Sequence, residues 1–262
     1  KTTLTPAILL NPPKDAKVVD LAGRHLVPGF IDTQVNGGGD VLFNDEPTVE
    51  GLRRIAAAHR KYGTTGMLPT LISDDVEVMR RAIDATRDAL AQQVPGVLGV
   101  HLEGPYLNAA RKGVHDPSKF HTPDAAELDL VASLGKDGVT LVTLAPERFD
   151  AATLRALAQR GVVIAAGHTA ANYEQLRDGF ANGITGITHL FNAMTPMNSR
   201  EPGAVGAALE NPDAWCGLIV DGFHVHDATL RVAIAARPRG KMMLVTDAMP
   251  PVGGEREADC GA

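Results

Sequence analysis

Residues 97–108 read VLGVHLEGPYLN, and the interpretation of the whole chain turns on them. The stretch opens as an apolar, β-rich run. It then places Glu103 directly before Gly104-Pro105. An ionised carboxylate at the edge of a core is costly unless something positive meets it. A buried strand that ends this way asks what meets Glu103.

Similar apolar runs recur on both sides of this one. They cover 26–36, 63–71, 97–107, 138–146, 162–168, 186–192, 215–225 and 241–249. Between them the spacing predicts helices near 48–61, 74–93, 123–134, 150–160, 172–182, 202–210 and 227–237. In the second of these, Val76, Met79, Ile83 and Leu90 recur at helical spacing, and Ser73-Asp74-Asp75 supplies cap-type residues. Asp150 and Thr122-Pro123 read as further helix starts. Strands alternating with helices imply a parallel sheet. Eight strand runs in one chain of 262 residues predict an α/β fold, a (β/α)8 TIM-type barrel. The alternative is an open doubly wound sheet with a glycine-rich turn after its first strand. Here that position reads Asn36-Gly37-Gly38-Gly39, which is not GxGxxG.

Composition narrows the function. The chain carries a formal charge of −6, with 44% hydrophobic and 21% charged residues, an ordinary globular balance. It has no basic block or stripe, so nucleic acid is not an expected partner. No run of 18 apolar residues predicts a membrane span. The opening residues KTTLTPAILLNPPK lack the apolar core of a signal peptide. Two cysteines, Cys216 and Cys260, cannot build a disulfide framework and suit a reducing cytoplasm.

A barrel places its chemistry at the C-terminal strand ends. The polar residues there are Asp32, Gln34 and Asn36 on the first strand, and His101 and Glu103 on the third. The fifth offers His168, the sixth His189 and Asn192, the seventh Asp221 and His224, and the eighth Asp247. Taken singly, each has an ordinary structural reading as a rim ion pair, a cap or a hydrogen-bonded core histidine. His101, two residues before Glu103 and deeper on the same face, reads as such a histidine. Together, Glu103, His168 and His189 from three converging strands form an oxygen and imidazole donor set for one divalent metal, with a position left for water. Zinc suits these donors, and iron, cobalt or manganese are alternatives. Asp247 is placed to take and return a proton. His115, in the loop KGVHDP, is placed to polarise a carbonyl. Arg111, Lys112 and Arg200 are candidate anion contacts. Asn36-Gly37 and Gly253-Gly254 read as turns.

These residues fall in strings that resemble the N-acetylglucosamine-6-phosphate deacetylases, within the amidohydrolase superfamily. The strings are PGFIDTQVNG (28–37), GTTGMLPTL (63–71), HLEGPYLN (101–108), KGVHDP (112–117), APE (145–147), GHT (167–169), THLFNAM (188–194), REPG (200–203), DGFHV (221–225) and VTDAM (245–249). The resemblance implies metal ligation by Glu103, His168 and His189, with Asp247 as catalytic acid/base and His115 on the acetamide carbonyl. It implies substrate contacts from Asn192, Ala193 and Val114, and a phosphate pocket of Arg200 and His224 near a homodimer interface. Many amidohydrolases bind a second metal through HxH at the end of the first strand. Here Gln34-Val35-Asn36 stands in that place, a vestigial second-metal position, because amides are poor zinc ligands. One metal per subunit is therefore expected.

The implied reaction removes the acetyl group from a 6-phosphorylated N-acetylglucosamine in amino-sugar catabolism. The alternatives are an N-acetylgalactosamine 6-phosphate or another N-acyl amine as substrate, and a barrel that binds sugar phosphate without catalysis. Three regions are expected: part of a small β lobe in 1–25, the hydrolase barrel in 26–250, and the remnant of a C-terminal segment in 251–262. The last, PPVGGEREADCGA with its preceding proline, holds no eighth helix to cover the barrel. The expectation is that segments are missing, with joins near residues 9–12 and 254–256, and that the β-sandwich lobe formed by the termini is incompletely represented.

Overall fold

The computed structural model describes residues 13–15, 17, 19–237 and 240–255. Within the expected β lobe of 1–25, residues 1–12, 16 and 18 lie outside the described residues, as do the join near 9–12 and Cys260. No strand forms among the described residues before Phe30, so the described part of that lobe holds none.

Eight parallel strands form a nearly closed barrel. In chain order the strands are β1 (Phe30–Val35), β2 (Gly37–Gly38), β3 (Val41–Leu42), β4 (Thr64–Ile72), β5 (Gly99–Glu103), β6 (Val139–Leu144), β7 (Val163–Ala166), β8 (Ile184–Ile187), β9 (Trp215–Leu218) and β10 (Met242–Leu244). The helices are α1 (Val49–Arg60), α2 (Val76–Ala91), α3 (Ala125–Val131), α4 (Ala151–Gln159), α5 (Tyr173–Ala181), α6 (Gly203–Glu210) and α7 (Asp227–Ala236). The barrel order is β1-β4-β5-β6-β7-β8-β9-β10, and β2 and β3 form a separate hairpin. The ring closes through a parallel bridge between Val35 and Ala248. Asp247 N donates to Gln34 O at 3.0 Å, and Gly37 N to Ala248 O at 2.9 Å, along the same seam. The expected barrel, rather than the open sheet, is the result.

Each predicted helix is present, and local chemistry starts most of them. Asp150 accepts from Thr153 N at the head of α4. Helix α3 does not start at Thr122-Pro123: Asp124 caps it in a reciprocal box with Glu127. The box satisfies two backbone donors at once, which a Thr-Pro start does not. Helix α2 turns its Met79, Ala82, Ile83 and Ala89 into the core, while Val76 and Leu90 are only partly buried against it.

Strand β5 is buried along its whole length. Register sets Glu103 level with Ile72 on β4 and Thr143 on β6. Apart from 63–71, where β4 runs on to Ile72, the predicted runs extend past the C-terminal ends of the strands, because the rim residues leave the sheet. His168, His189 and Asp247 each follow a strand within three residues and hold positive φ angles of 46°, 31° and 52°. L-residues rarely occupy that region. Those rim residues are the expected ligand and acid/base positions.

The arc of β1 and β10 is less well covered: Phe30, Ile31 and Leu244 are 60%, 63% and 61% exposed. With Tyr62, Val220 and Val252 they line an apolar groove of about 820 Å³.

Candidate active site

Glu103 is 2% exposed at the end of β5. Its Oε1 lies 3.1 Å from His168 Nε2 and 3.1 Å from His189 Nε2. The two Nε2 atoms are 3.0 Å apart. The three expected ligands therefore converge on one point from β5, β7 and β8.

The outer atoms of His168 show what that point requires. His168 Nδ1 faces Arg111 O at 2.8 Å. A carbonyl only accepts, so Nδ1 carries the proton of the neutral ring and Nε2 presents a lone pair. That lone pair meets a carboxylate oxygen and a second imidazole nitrogen in a site all but closed to water. A shared cation relieves this crowding of acceptors. One tetrahedral ion of zinc type, with ligand bonds near 2.0–2.2 Å, holds its donors about 3.3 Å apart, close to the spacing found. The donor set fits a divalent metal. His189 Nδ1, by contrast, is buried without a hydrogen-bond partner.

His115, the carbonyl-polarising candidate, lies next to His168. Loop histidines are mostly solvated, yet this one is 2% exposed, and its ring centroid lies 4.4 Å from that of His168. Glu103, His115 and His168 offer ligand atoms within 4.8 Å of one another. This set is looser than the one with His189, so His115 stands at the margin of the cluster. Ser73 N donates to His115 Nδ1 at 3.2 Å, and Ser73 Oγ lies 2.8 Å from the same nitrogen. An amide N–H cannot accept, so the neutral ring carries its proton on Nε2. Burial pushes the imidazole down to about 4, which keeps it neutral.

Two glycines make room for this arrangement. Gly104 has φ +88°, and a Cβ there would fall 2.2 Å from Ser73 Oγ. Gly113 has φ +56° and would set a Cβ 3.0 Å from His168 Cε1.

Asp247 is half-buried at the seam. Asn36 Nδ2 donates to its Oδ1 at 2.6 Å and to its backbone carbonyl at 3.3 Å. Burial raises its carboxyl, and the nearby Glu103 charge raises it further, against the pull of His189 and the Asn36 amide.

The amides expected as a vestigial metal position act as donors. Gln34 Nε2 lies 3.1 Å from Glu103 Oε1, and Asn36 holds Asp247. An amide nitrogen turned toward a carboxylate has no lone pair to give a metal. Asn36 Oδ1 is buried without a partner.

Other expected residues divide between the cluster and the rim. Asn192 N donates to His189 O at 2.9 Å, and Ala193 O accepts from Thr169 N at 3.1 Å. Both are half-buried beside His189 and Thr169. Val114 is 79% exposed. Arg200 and Lys112 are exposed, and Arg111 contributes its carbonyl to His168. His224 Nδ1 meets Asp221 Oδ2 at 2.6 Å on an exposed turn. Against a push upward from burial, the His224 and Phe223 backbone N–H groups and the imidazole draw Asp221 down to about 2. His101 is a hydrogen-bonded core residue, as its position implied: Nε2 meets Thr143 Oγ1 at 2.7 Å and Nδ1 meets Thr33 O at 3.0 Å. The sequence marks neither Ser73 nor Glu147 as a candidate for the site. Ser73 looks like a helix cap, and Glu147 sits in a motif without an assigned role.

Comparison with known proteins agrees with the fold. The profile of the Amidohydrolase family matches residues 25–250. A Shewanella sp. (strain ANA-3) protein named N-acetylgalactosamine-6-phosphate deacetylase is 47% identical over 237 residues, covering 90% of this chain and 60% of that protein. A Homo sapiens protein named N-acetylglucosamine-6-phosphate deacetylase is 39% identical over 253 residues, covering 89% and 60%. The crystal structure of N-acetylglucosamine-6-phosphate deacetylase from Pasteurella multocida superposes with a TM-score of 0.89 at 34% identity, covering 94% of this chain and 65% of that one. The chain spans 60% of the length of these two sequence relatives. With its barrel, its rim donors and a family match across nearly all of the described residues, the chain belongs to the amidohydrolase family.

Proposed function

We propose that this chain carries the catalytic barrel of a deacetylase for a 6-phosphorylated N-acetyl amino sugar, releasing acetate and the 6-phospho-amino sugar in amino-sugar catabolism. The observation that carries the reading is the convergence of Glu103, His168 and His189 within 3.1 Å. Asp247 and His115 flank them with complementary proton chemistry.

Glu103, His168 and His189 would hold one divalent ion per subunit, zinc by the match of oxygen and imidazole donors. When bound, the ion supplies Lewis acidity, which makes water more acidic and an acetyl carbonyl more electrophilic. His115 donates its Nε2–H to the carbonyl oxygen and stabilises the charge that grows there. Its neutrality matters, since a proton held on Nε2 is then available as a donor across the neutral pH range. Asp247 takes the proton of the attacking water. It returns that proton to the nitrogen as the carbon–nitrogen bond breaks, so that amine and acetate leave with the proton count balanced. Asn36 keeps the Asp247 carboxylate aimed during both transfers. Asn192, Ala193 and Val114 would contact the sugar. Arg200 and His224 would hold the phosphate near a homodimer interface. A cytoplasmic location accords with the sparse cysteines, and among the described residues no helix is long and apolar enough to cross a membrane.

The N-acetylgalactosamine 6-phosphate reading rests on the 47% identical relative that bears that substrate in its name. The test is metal analysis of full-length protein with acetate release measured on both epimeric 6-phosphates side by side. Turnover with a stoichiometric divalent metal is expected. A metal-free, inert protein that still binds the sugar phosphate would sink the catalytic reading, and the kcat/KM ratio of the epimers decides the substrate.

A further inference from the structure

Glu147 takes no part in the chemistry above. It lies in the 3-10 turn Pro146–Arg148 just beyond β6. In the barrel β6 stands between β5, which ends in Glu103, and β7, which leads into His168. Strand β6 itself brings no ligand to the rim.

The Glu147 carboxylate reaches both neighbours. Its Oε1 accepts from Asn108 Nδ2 at 2.9 Å and from Ala170 N at 2.7 Å. Its Oε2 accepts from Thr169 Oγ1 at 2.5 Å. Thr169 and Ala170 directly follow His168. Asn108 N donates to His168 O at 2.9 Å. The Asn108 side chain also caps the Ala109–Arg111 turn, and Arg111 O receives His168 Nδ1–H. One carboxylate thus ties down the peptide after His168, the residue bonded to its carbonyl, and the turn that orients its ring. His168 needs such bracing because its backbone is left-handed, at φ 46°. Bonds to an ionised acceptor are stronger than neutral ones.

We propose that Glu147 is a positioning residue for the metal ligand His168, holding its backbone and its imidazole acceptor so that Nε2 faces Glu103 and His189. The proposal rests on the reading of those three residues as the ion-holding set. Outer groups that orient a ligand histidine contribute about 10–100-fold in metal affinity.

The test compares wild type, Glu147→Ala and Glu147→Gln. Zinc(II) affinity is measured by chelator competition, and the visible absorption of the cobalt(II)-loaded protein reports ligand geometry. The melting temperature of the metal-free protein follows the fold separately. Glu147→Ala is expected to bind zinc about 10–100-fold more weakly, with an altered cobalt spectrum. Glu147→Gln keeps one acceptor oxygen and falls between. A lowered melting temperature with wild-type zinc affinity and cobalt spectrum would make the role merely structural and overturn the proposal. If Glu147→Ala fails to fold, Asn108→Ala removes one contact and the turn cap, and about a 10-fold loss is expected. Unchanged affinity there overturns it equally. Wild-type protein that binds no ion overturns the ion-holding reading and this proposal together, whereas wild-type binding matched by the variants overturns the role of Glu147 alone.

Discussion

The arc of the barrel from β5 to β7 and the arc from β9 to β1 build their rims in different ways. On the first, strand β5 is buried throughout and the inner residues of β6 and β7 are buried too. Its Glu103 and His168, the proposed ligands, are held by Gln34, Arg111 O and Asn108. On the second, β10 is three residues long, none of them fully buried, and the chain after it meets β1 through one isolated bridge and a few backbone and side-chain hydrogen bonds. Asp32 Oδ2 accepts from Thr246 Oγ1 there at 2.6 Å. The rim turn of this arc is exposed, with Phe223 at 91%. The difference follows from the work each arc is read to do. Donors for an ion must converge with bond-length precision, which only packed and hydrogen-bonded surroundings enforce. Groups that meet a charged substrate must stay accessible to it.

Breaking the precise arc is expected to have the largest effect. Glu103→Gln removes the charged donor, and metal content and turnover should both fall, turnover by roughly 10³ or more. Metal binding equal to wild type would remove Glu103 from the centre of the site. Asp247→Asn tests the seam arc. Turnover should drop about 10²–10⁴-fold while metal content stays at wild type; near wild-type turnover would clear Asp247 of proton transfer. Stability should separate the arcs as well. Leu102→Ala on β5 should cost about 2–5 kcal/mol in denaturant unfolding, since its side chain is fully buried. Leu244→Ala on β10 should cost only about 0.5 kcal/mol, because that side chain is mostly in solvent. Equal costs would erase the contrast. The smallest expected effect is from Asn36→Ala. It should lower kcat about 10-fold at unchanged KM, by releasing a bond to a charged group. A KM change alone would show that Asn36 acts on substrate binding instead.

Much of this was legible before any coordinates. Parallel strands covered on both faces read as unbroken apolar runs, so the eight-fold rhythm pointed to the barrel. Glu103, His168, His189 and Asp247 stood out because strand ends need no ionisable residue for packing. The strand limits were less legible. The run 186–192 was expected as a strand, yet the sheet segment is Ile184–Ile187. His189 and Phe191 turn into left-handed backbone that composition does not announce.

What the sequence determined by itself is the alternation of elements and the chemical type of the rim donors. Both are carried by neighbouring residues, through periodicity and through the cost of burying charge. The tertiary structure decided the rest: that His115 is buried beside His168, that Gln34 and Asn36 serve carboxylates, and that Glu147 meets Asn108, Thr169 and Ala170 around His168. These pairings join residues such as Asn36 and Asp247 that lie far apart in the chain. Their partners are chosen when barrel closure brings separate strand ends to one rim, and no local pattern encodes that meeting.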